Sequence, residues 1–408
     1  MKPAGYALLA LAAWGAGATE FDARVKWFTT AQHLPGSDVL RDATNKATPA
    51  DHSADLRLMW RRDIGPLKAV VDHSTIGLFG DSIAAFGDAE ASLDQAPSGD
   101  QRRLFDLTGE WDDGNRHRLF HRLDRFALEY RSRRWGVTMG RQAVSWGSGL
   151  VFHPMDLFNP FAPTTVDRDY KAGDDMILVE RLFERGSDLQ LLAVGRRSDD
   201  GDASADASSL AVKYKGFVRQ GEVELLAARH YGGGALGLGL RVPVGAALLR
   251  TDLVGVEDSG GWTISGVVNV DASVPVRGNP VYVFAEYFHN GFGVARIPDD
   301  LDALPEGLDQ RLGGGETFTL MHDYLAAGVQ FRWHPLVSQS FSLIVNLHDT
   351  SSLAQMSLAY DPGDASELQG GLIALLGGHG DEFGRLPVED GLTAGGGLRA
   401  FVRFAYYF

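Results

Sequence analysis

The stretch "LRAFVRFAYYF" constrains this chain more than any other feature. Leu398, Ala400, Val402, Phe404, Tyr406 and Phe408 share one parity, and Arg399, Phe401, Arg403, Ala405 and Tyr407 share the other. Period two is the mark of a strand with one apolar face. That face runs to the final residue, Phe408, with no polar tail after it. The ends of water-soluble domains are ordinarily solvated. A strand like this one needs an apolar solvent at its side. In lipid it also needs a closed sheet, because an open edge would leave backbone groups unpaired.

The other end supplies an address. "MKPAGYALLALAAWGAGATE" has Lys2, an apolar stretch from Tyr6 to Trp14, and then Ala16-Gly17-Ala18. A positive start, a short apolar middle and small residues at a cleavage site make a secretory signal peptide over 1–18. Cleavage after Ala18 leaves a mature region of 19–408. Beyond it there is no apolar run long enough for a spanning helix. The chain has no cysteine, so disulfide and thiolate-metal frameworks are excluded. Its net charge of -15 argues against nucleic acid as a partner.

The mature region reads as an all-β, transmembrane, antiparallel up-and-down barrel. Alternating segments fall at 20–29, 54–62, 67–79, 119–132, 134–142 and 175–184. More follow at 187–196, 207–216, 220–231, 235–242, 246–256 and 261–272. The last are 280–289, 323–333, 340–349, 352–361, 366–376 and 396–408. These make eighteen strands, an even number, as a closed antiparallel barrel with both ends on one side requires. One miscounted hairpin gives sixteen or twenty. After even-numbered segments the links are short. After several odd ones they are long: 30–53, 80–118, 143–174, 290–322 and 377–395. Short periplasmic turns and long outer loops are the expected asymmetry.

Trp27, Trp60, Trp135, Trp262 and Trp333 fall on the apolar faces, as do Tyr130, Tyr287, Tyr360, Tyr406 and Phe408. Most lie near strand ends, as interfacial girdles do. A soluble β-sandwich shows the same alternation, but it leaves the signal peptide, the loop asymmetry and the terminal Phe408 as coincidences.

The mature chain resembles the Gram-negative outer-membrane porin-like barrels. The terminal strand with Tyr406 and Phe408 resembles the signal read by the barrel-assembly machinery. "GRQAVSWGSGLVF" resembles a G-R-Q-x-x-x-W-G pattern of poorly characterised porin-like proteins. The resemblance implies an outer-membrane location, with lipids and lipopolysaccharide around the barrel. It also implies small solutes inside and a homo-oligomeric assembly as one option.

On this phase the lumen receives Arg24, Lys26, Arg57, Arg61, Arg125, Arg131, Arg399 and Arg403. In all, fifteen bases face nine acids there, although the protein as a whole is acidic. A basic wall in a water-filled barrel attracts anions. The bland alternative is paired lumen charge that only keeps the channel wet. The acids concentrate in loops. Asp81, Asp88, Glu90, Asp94, Asp100, Asp106, Glu110, Asp112 and Asp113 lie in one, and Asp299, Asp300, Asp302, Glu306, Asp309, Glu316 and Asp323 in another. Such clusters are an option for divalent cations through oxygen ligands, but no spacing there matches a calcium loop, so they read as solvated charge, with no metal and no cofactor.

Segment 143–174 is different. Trp146, Val151, Phe152, Met155, Leu157, Phe158 and Phe161 make it too apolar to sit in water. Pro154, Pro160 and Pro163 stiffen it. It is expected to fold inward as a constriction loop, and porins carry theirs at the same place in the strand order. Gly136, Thr138 and Gly140, with Gly237 and Gly239, leave room inside. Asp156, Asp167 and Asp169 would then face the basic wall across the narrowest point. The alternative is an external lid.

Enzyme motifs are weak. There is no H-E-x-x-H, P-loop or G-x-S-x-G. Ser148 lacks the first glycine of a nucleophile elbow, and His117 and His121 fall at a loop–strand junction. The sequence therefore points to a passive channel for small anionic solutes. A transporter of hydrophobic solutes and a plugged scaffold barrel serving a partner complex remain as alternatives.

Overall fold

The computed structural model describes residues 18–87, 99–198, 200–258, 260–388 and 391–408. The predicted signal peptide, apart from Ala18, lies outside the described residues, as do Asp88, Glu90 and Asp94.

Eighteen strands form one barrel. In chain order they are β1 (Thr19–His33), β2 (Ala50–Ile64), β3 (Leu67–Gly80), β4 (His117–Arg131), β5 (Trp135–Gln142) and β6 (Asp174–Leu182). Next come β7 (Asp188–Val194), β8 (Ser209–Val218), β9 (Gly221–His230), β10 (Gly233–Val244), β11 (Ala247–Asp258) and β12 (Gly261–Val276). The last six are β13 (Asn279–His289), β14 (Asp323–His334), β15 (Val337–Asn346), β16 (Ser352–Gly363), β17 (Ser366–Leu376) and β18 (Gly397–Tyr407). Sequential neighbours pair antiparallel, and β1 pairs with both β2 and β18, which closes the ring. Phe408 continues that seam, its backbone N–H bonding the carbonyl of Ala23 at 2.9 Å.

The outward parity is apolar and exposed around the ring, as at Phe21, Val25 and Trp27 on β1 or Val402, Phe404 and Tyr406 on β18. Trp135, Trp262, Trp333, Tyr130, Tyr287 and Tyr360 are exposed on it too, and Trp60 is half-buried. Such a surface is at rest only in hydrocarbon, where a closed barrel satisfies its own backbone. Short turns join the hairpins on one side. At Arg277-Gly278 both φ values are left-handed, +51° and +85°, which suits the twist of a two-residue hairpin.

Several expected boundaries shift. β2 begins at Ala50 rather than 54, and β4 takes in His117. The predicted loop 80–118 contains a further strand, Thr108–Gly114, paired to the outer half of β4. The short β5 pairs only with the lower half, Phe126–Arg131. The outer loops also hold three short helices: α1 (Val39–Thr44), α2 (Asp81–Phe86) and α3 (Glu306–Gly313).

The inward parity is not uniformly polar. Toward the loops, Phe28, Ile76, Leu78, Phe120, Phe288, Tyr324, Ile344, Leu353, Ile373 and Phe401 point in and form an apolar tier. Loop side chains fill it, among them Phe152, Met321, Leu320 and Phe383. Nor are the loop acids simply solvated. Asp81 is buried against Lys46 and Arg116, each at 2.8 Å. Asp100 is buried against Arg141 at 2.8 Å, and Glu316 accepts from Arg311 at 2.5 Å.

Candidate functional site

Between β5 and β6 the chain turns into the barrel. Two lumen-facing carboxylates on the opposite wall receive it. Asp252 on β11 accepts the Ser148 hydroxyl at 2.8 Å, the Ser148 N–H, and the Gly149 N–H at 3.2 Å. Glu286 on β13 accepts the N–H groups of Leu150, Val151 and Phe152 at 2.6, 3.0 and 2.8 Å. Asn269 on β12 bonds both Glu286 and the Ser148 carbonyl. Bonds to carboxylate oxygens are the strong kind, and here they take up backbone N–H groups that join no ladder. Gly147 has φ +88°, and a Cβ there would lie 2.9 Å from the Asp252 carboxylate.

The apolar side chains of this segment are buried by the same wall. Phe152 stacks on Phe288 at 4.5 Å between centroids. Trp146 meets Phe158 edge-on at 5.3 Å and donates its indole N–H to Gln190 at 2.9 Å. Met155 is fully buried against Gly237 and Gly239 of β10. Gly136 and Gly140, by contrast, face Glu180 and the Phe126 carbonyl rather than the loop. Asp156 pairs with Lys171 inside the segment at 2.6 Å, so it does not face the basic residues. Burial pushes its carboxyl up to about 6 against the pull of Lys171.

The tail of the segment reaches the basic residues and touches them. Asp167 pairs with Lys26, and Asp169 pairs with Arg403 and, at 3.1 Å, with Arg24. The expected arrangement of acids across a gap is thus replaced by direct ion pairs. Tyr170 lies over both Arg24 and Arg57, 4.6 and 3.8 Å from its ring centroid, and donates its hydroxyl to the sulfur of Met59 at 3.1 Å. Arg24 and Arg57 are direct cross-strand partners, so this ring and the neighbouring acids offset their repulsion.

Six of the eight predicted basic residues come together: Arg24, Lys26, Arg57, Arg61, Arg125 and Arg403. They are neutralised more than the sequence suggested. Arg24 pairs with Asp55 at 2.6 Å, Arg61 with Asp72 at 2.9 Å, and Arg57 with Asp124. Arg125 donates to the Lys171 carbonyl at 2.7 Å. The other two stand apart. Arg131 is exposed near Glu129, and Arg399 bonds Gln32 near the loop end.

Arg122 and Asp124 were missed. The β3–β4 register slips between Asp72 and His73, leaving Asp124 unpaired between Leu123 and Arg125. One extra residue resets the alternation, so Arg122 and Asp124 are buried inside together with the Arg125 side. The adjacent charges in "LDRF" are the only trace of this in the sequence.

A cavity of about 650 Å³ opens beside this cluster. Arg24, Lys26, Arg57, Arg122, Lys171 and Arg196 line it, with Asp55, Asp124, Asp167 and Asp174 as the acids and Phe161, Tyr170, Tyr231 and Phe318 as apolar surface. A second cavity of about 810 Å³ lies toward the loops, and the two share Arg102, Tyr231 and Gly314. At the other end of the molecule, Tyr406 and Phe408 meet edge-on at 4.7 Å on the outer surface.

This is the fold of a porin-type outer-membrane barrel with a loop turned inward. The outer membrane protein OpdK of Pseudomonas aeruginosa has TM-score 0.53 at 9% identity, with 96% of this chain and 98% of that one covered. OccAB4 of Acinetobacter baumannii has TM-score 0.52 at 11%, with the same coverage. Pseudomonas aeruginosa OccK2 (OpdF), solved in complex with glucuronate, has TM-score 0.51 at 10%, again with 96% and 98% covered. No family model and no curated protein sequence matches the chain.

Proposed function

We propose that the protein is an outer-membrane channel for passive diffusion of small anionic solutes, narrowed by segment 143–173. The observation that carries this reading is the cavity beside Arg24, Lys26 and Arg57, whose lining holds more bases than acids in a protein that is acidic overall. Low-dielectric walls strengthen the attraction such a chamber exerts on anions. The structural likeness to a porin solved with glucuronate, a carboxylate, points the same way. Ser148 donates its hydroxyl to Asp252 and so serves as an anchor of the inward segment. On this reading residues 1–18 are the export signal, and mass spectrometry of the mature chain should start at Thr19.

Planar-bilayer recording tests the proposal. Reversal potentials in unequal salt should show anion preference, and deleting Leu150 to Ala162 should raise single-channel conductance. The apolar tier with its loop filling favours the second reading, a plugged scaffold. Absence of current in both wild type and deletion would select it. A transporter of hydrophobic solutes is disfavoured, because bases and acids line the cavity beside the inward segment, Arg24, Lys26, Arg57, Asp55 and Asp124 among them.

A further inference from the structure

We infer that His289, His322 and His348 form a proton-operated clamp on the outer rim of the barrel, which holds a phosphate group of the surrounding outer-leaflet lipid when the rings are charged.

The cluster stands where such a headgroup lies. His289 and Asp323 are cross-strand partners at the loop ends of β13 and β14. They share the outward parity of Tyr287 and Leu325, the next pair on that face, whose side chains are exposed. Leu347, whose N–H bonds the Asp323 carbonyl, is exposed as well. His348 follows it in the short link 347–351, and His322 ends the long link 290–322. The three rings thus sit one step beyond the apolar band, beside a girdle tyrosine and at headgroup depth.

Each ring is held at one nitrogen and open at the other. Nδ1 of His289 and Nε2 of His348 bond the two carboxylate oxygens of Asp323 at 2.8 and 2.9 Å. The Tyr287 hydroxyl donates to the first of these oxygens at 2.6 Å. Nδ1 of His322 bonds the Asn290 carbonyl at 2.8 Å. Such acceptors fix these nitrogens as the protonated ones. His322 stacks on His289 at 5.6 Å between centroids and lies 5.9 Å from His348. Nε2 of His289, Nε2 of His322 and Nδ1 of His348 have no hydrogen-bond partner among the described residues. The side chains of His289 and His348 are 43% and 28% exposed, so a ligand reaches them from outside.

Charge decides what they hold. With neutral rings the cluster carries the single negative charge of Asp323, its open nitrogens are acceptors, and it repels phosphate. Every proton taken up turns an open nitrogen into a charged donor. Histidine is the side chain that ordinarily makes this change between pH 5 and 8. Three charged rings against one carboxylate reverse the sign of the site. No lysine, arginine or second carboxylate is paired with these rings among the described residues. Asp349, in the same link as His348, turns instead to the Ser351 hydroxyl and the Glu382 N–H. On the neighbouring β12, Gly266 stands opposite His289. Like charges this close oppose one another's protonation, and an anion among them relieves that. Phosphate oxygens are strong acceptors for charged N–H groups. Proton uptake and phosphate binding therefore favour each other.

The test is a binding titration of the full-length protein in detergent with diphosphoryl lipid A at pH 5.5 and 7.5, run beside dephosphorylated lipid A and inorganic phosphate. Wild type should hold diphosphoryl lipid A about tenfold more tightly at pH 5.5. A phosphate monoester loses charge over this interval, its second pKa being about 6, so the gain must come from the protein. Dephosphorylated lipid A should bind equally at both pH values. The triple variant His289→Gln/His322→Gln/His348→Gln should lose the pH difference. The single variant His322→Gln, whose ring does not touch Asp323, should keep part of it and guards against misfolding of the triple variant. A wild-type affinity that ignores pH overturns the inference, as does a gain that survives the triple substitution. Inorganic phosphate binding as tightly as the lipid would assign the site to a free anion and overturn it too.

Discussion

Asp252 is bonded twice to Ser148, through the hydroxyl at 2.8 Å and through the backbone N–H, from a strand six places around the barrel from the one that feeds the loop. The contact ties the start of an inserted segment to the far wall. Together with Glu286 it converts a proline-broken stretch into a fixed partition.

Replacing Asp252 by Ala leaves the N–H groups of Ser148 and Gly149 without their acceptor. An unsatisfied buried donor costs about 1–3 kcal/mol. The segment should dock less firmly. Single-channel current noise should rise and protease cleavage between 143 and 173 should quicken, with barrel migration on gels unchanged. Wild-type noise and cleavage in Asp252→Ala would remove the anchor role.

Glu382, in the last outer loop, predicts a pH dependence. It accepts hydrogen bonds from the Tyr324 hydroxyl, the Leu320 N–H at 2.7 Å and the Asn346 amide at 2.7 Å. Burial, aided by the charge of Asp349 and opposed by those donors, pushes its carboxyl up to about 7. The docked loop therefore binds a proton more tightly than the undocked one. Its contribution to docking is full below the ordinary glutamate range of about 4.5 and is lost as pH rises through about 7. Proteolysis of 377–388 should be faster at pH 8.5 than at pH 5.5. Glu382→Gln should flatten that difference, and a difference that survives the substitution would exclude Glu382 as its source.

Leu343 and Ser342 separate the two faces of β15. Leu343 shares the outward parity of the exposed Phe341, and Ser342 that of the buried Ile344. Leu343→Arg places a charge in hydrocarbon and should destabilise the barrel by about 2–4 kcal/mol. Ser342→Arg should cost much less, measured as denaturant midpoints in lipid vesicles. Asn346 is no neutral control, because it is fully buried and bonded to Glu382.

Strand number, closure and the outer face were legible because lipid demands apolar side chains at every second position, and a strict rule leaves a readable pattern. The lumen obeys no such rule. Phe28 and Phe401 share the inward parity of Lys26 and Arg403, and only the arrival of loop residues makes an apolar tier workable there. The bulge at Asp124 defeated parity counting over the outer half of β4. The tail acids were readable as charges near the wall, but their pairing with Lys26, Arg24 and Arg403 depends on how far the segment travels. The residues of the G-R-Q-x-x-x-W-G stretch also acquire reasons only in space. Arg141 clamps Asp100 and Asp175, and Trp146 packs on Phe158.

Asp124 itself gives the sharpest test of the basic cluster. It is 5% exposed and takes ion pairs from Arg57 and from Arg122 at 2.8 Å. Asp124→Asn keeps the shape and removes the charge, leaving both guanidinium groups undercompensated. Breaking a buried pair from one side costs about 3–5 kcal/mol. The denaturant midpoint should fall accordingly. The same change removes one negative charge from the lining of the cavity, so reversal potentials should move toward anions. The shift should be clear at 0.1 M salt, where the Debye length is about 10 Å, and small at 1 M, where it is about 3 Å. A stability loss without any change in selectivity would show that this cluster shapes the wall and does not lie along the ion path.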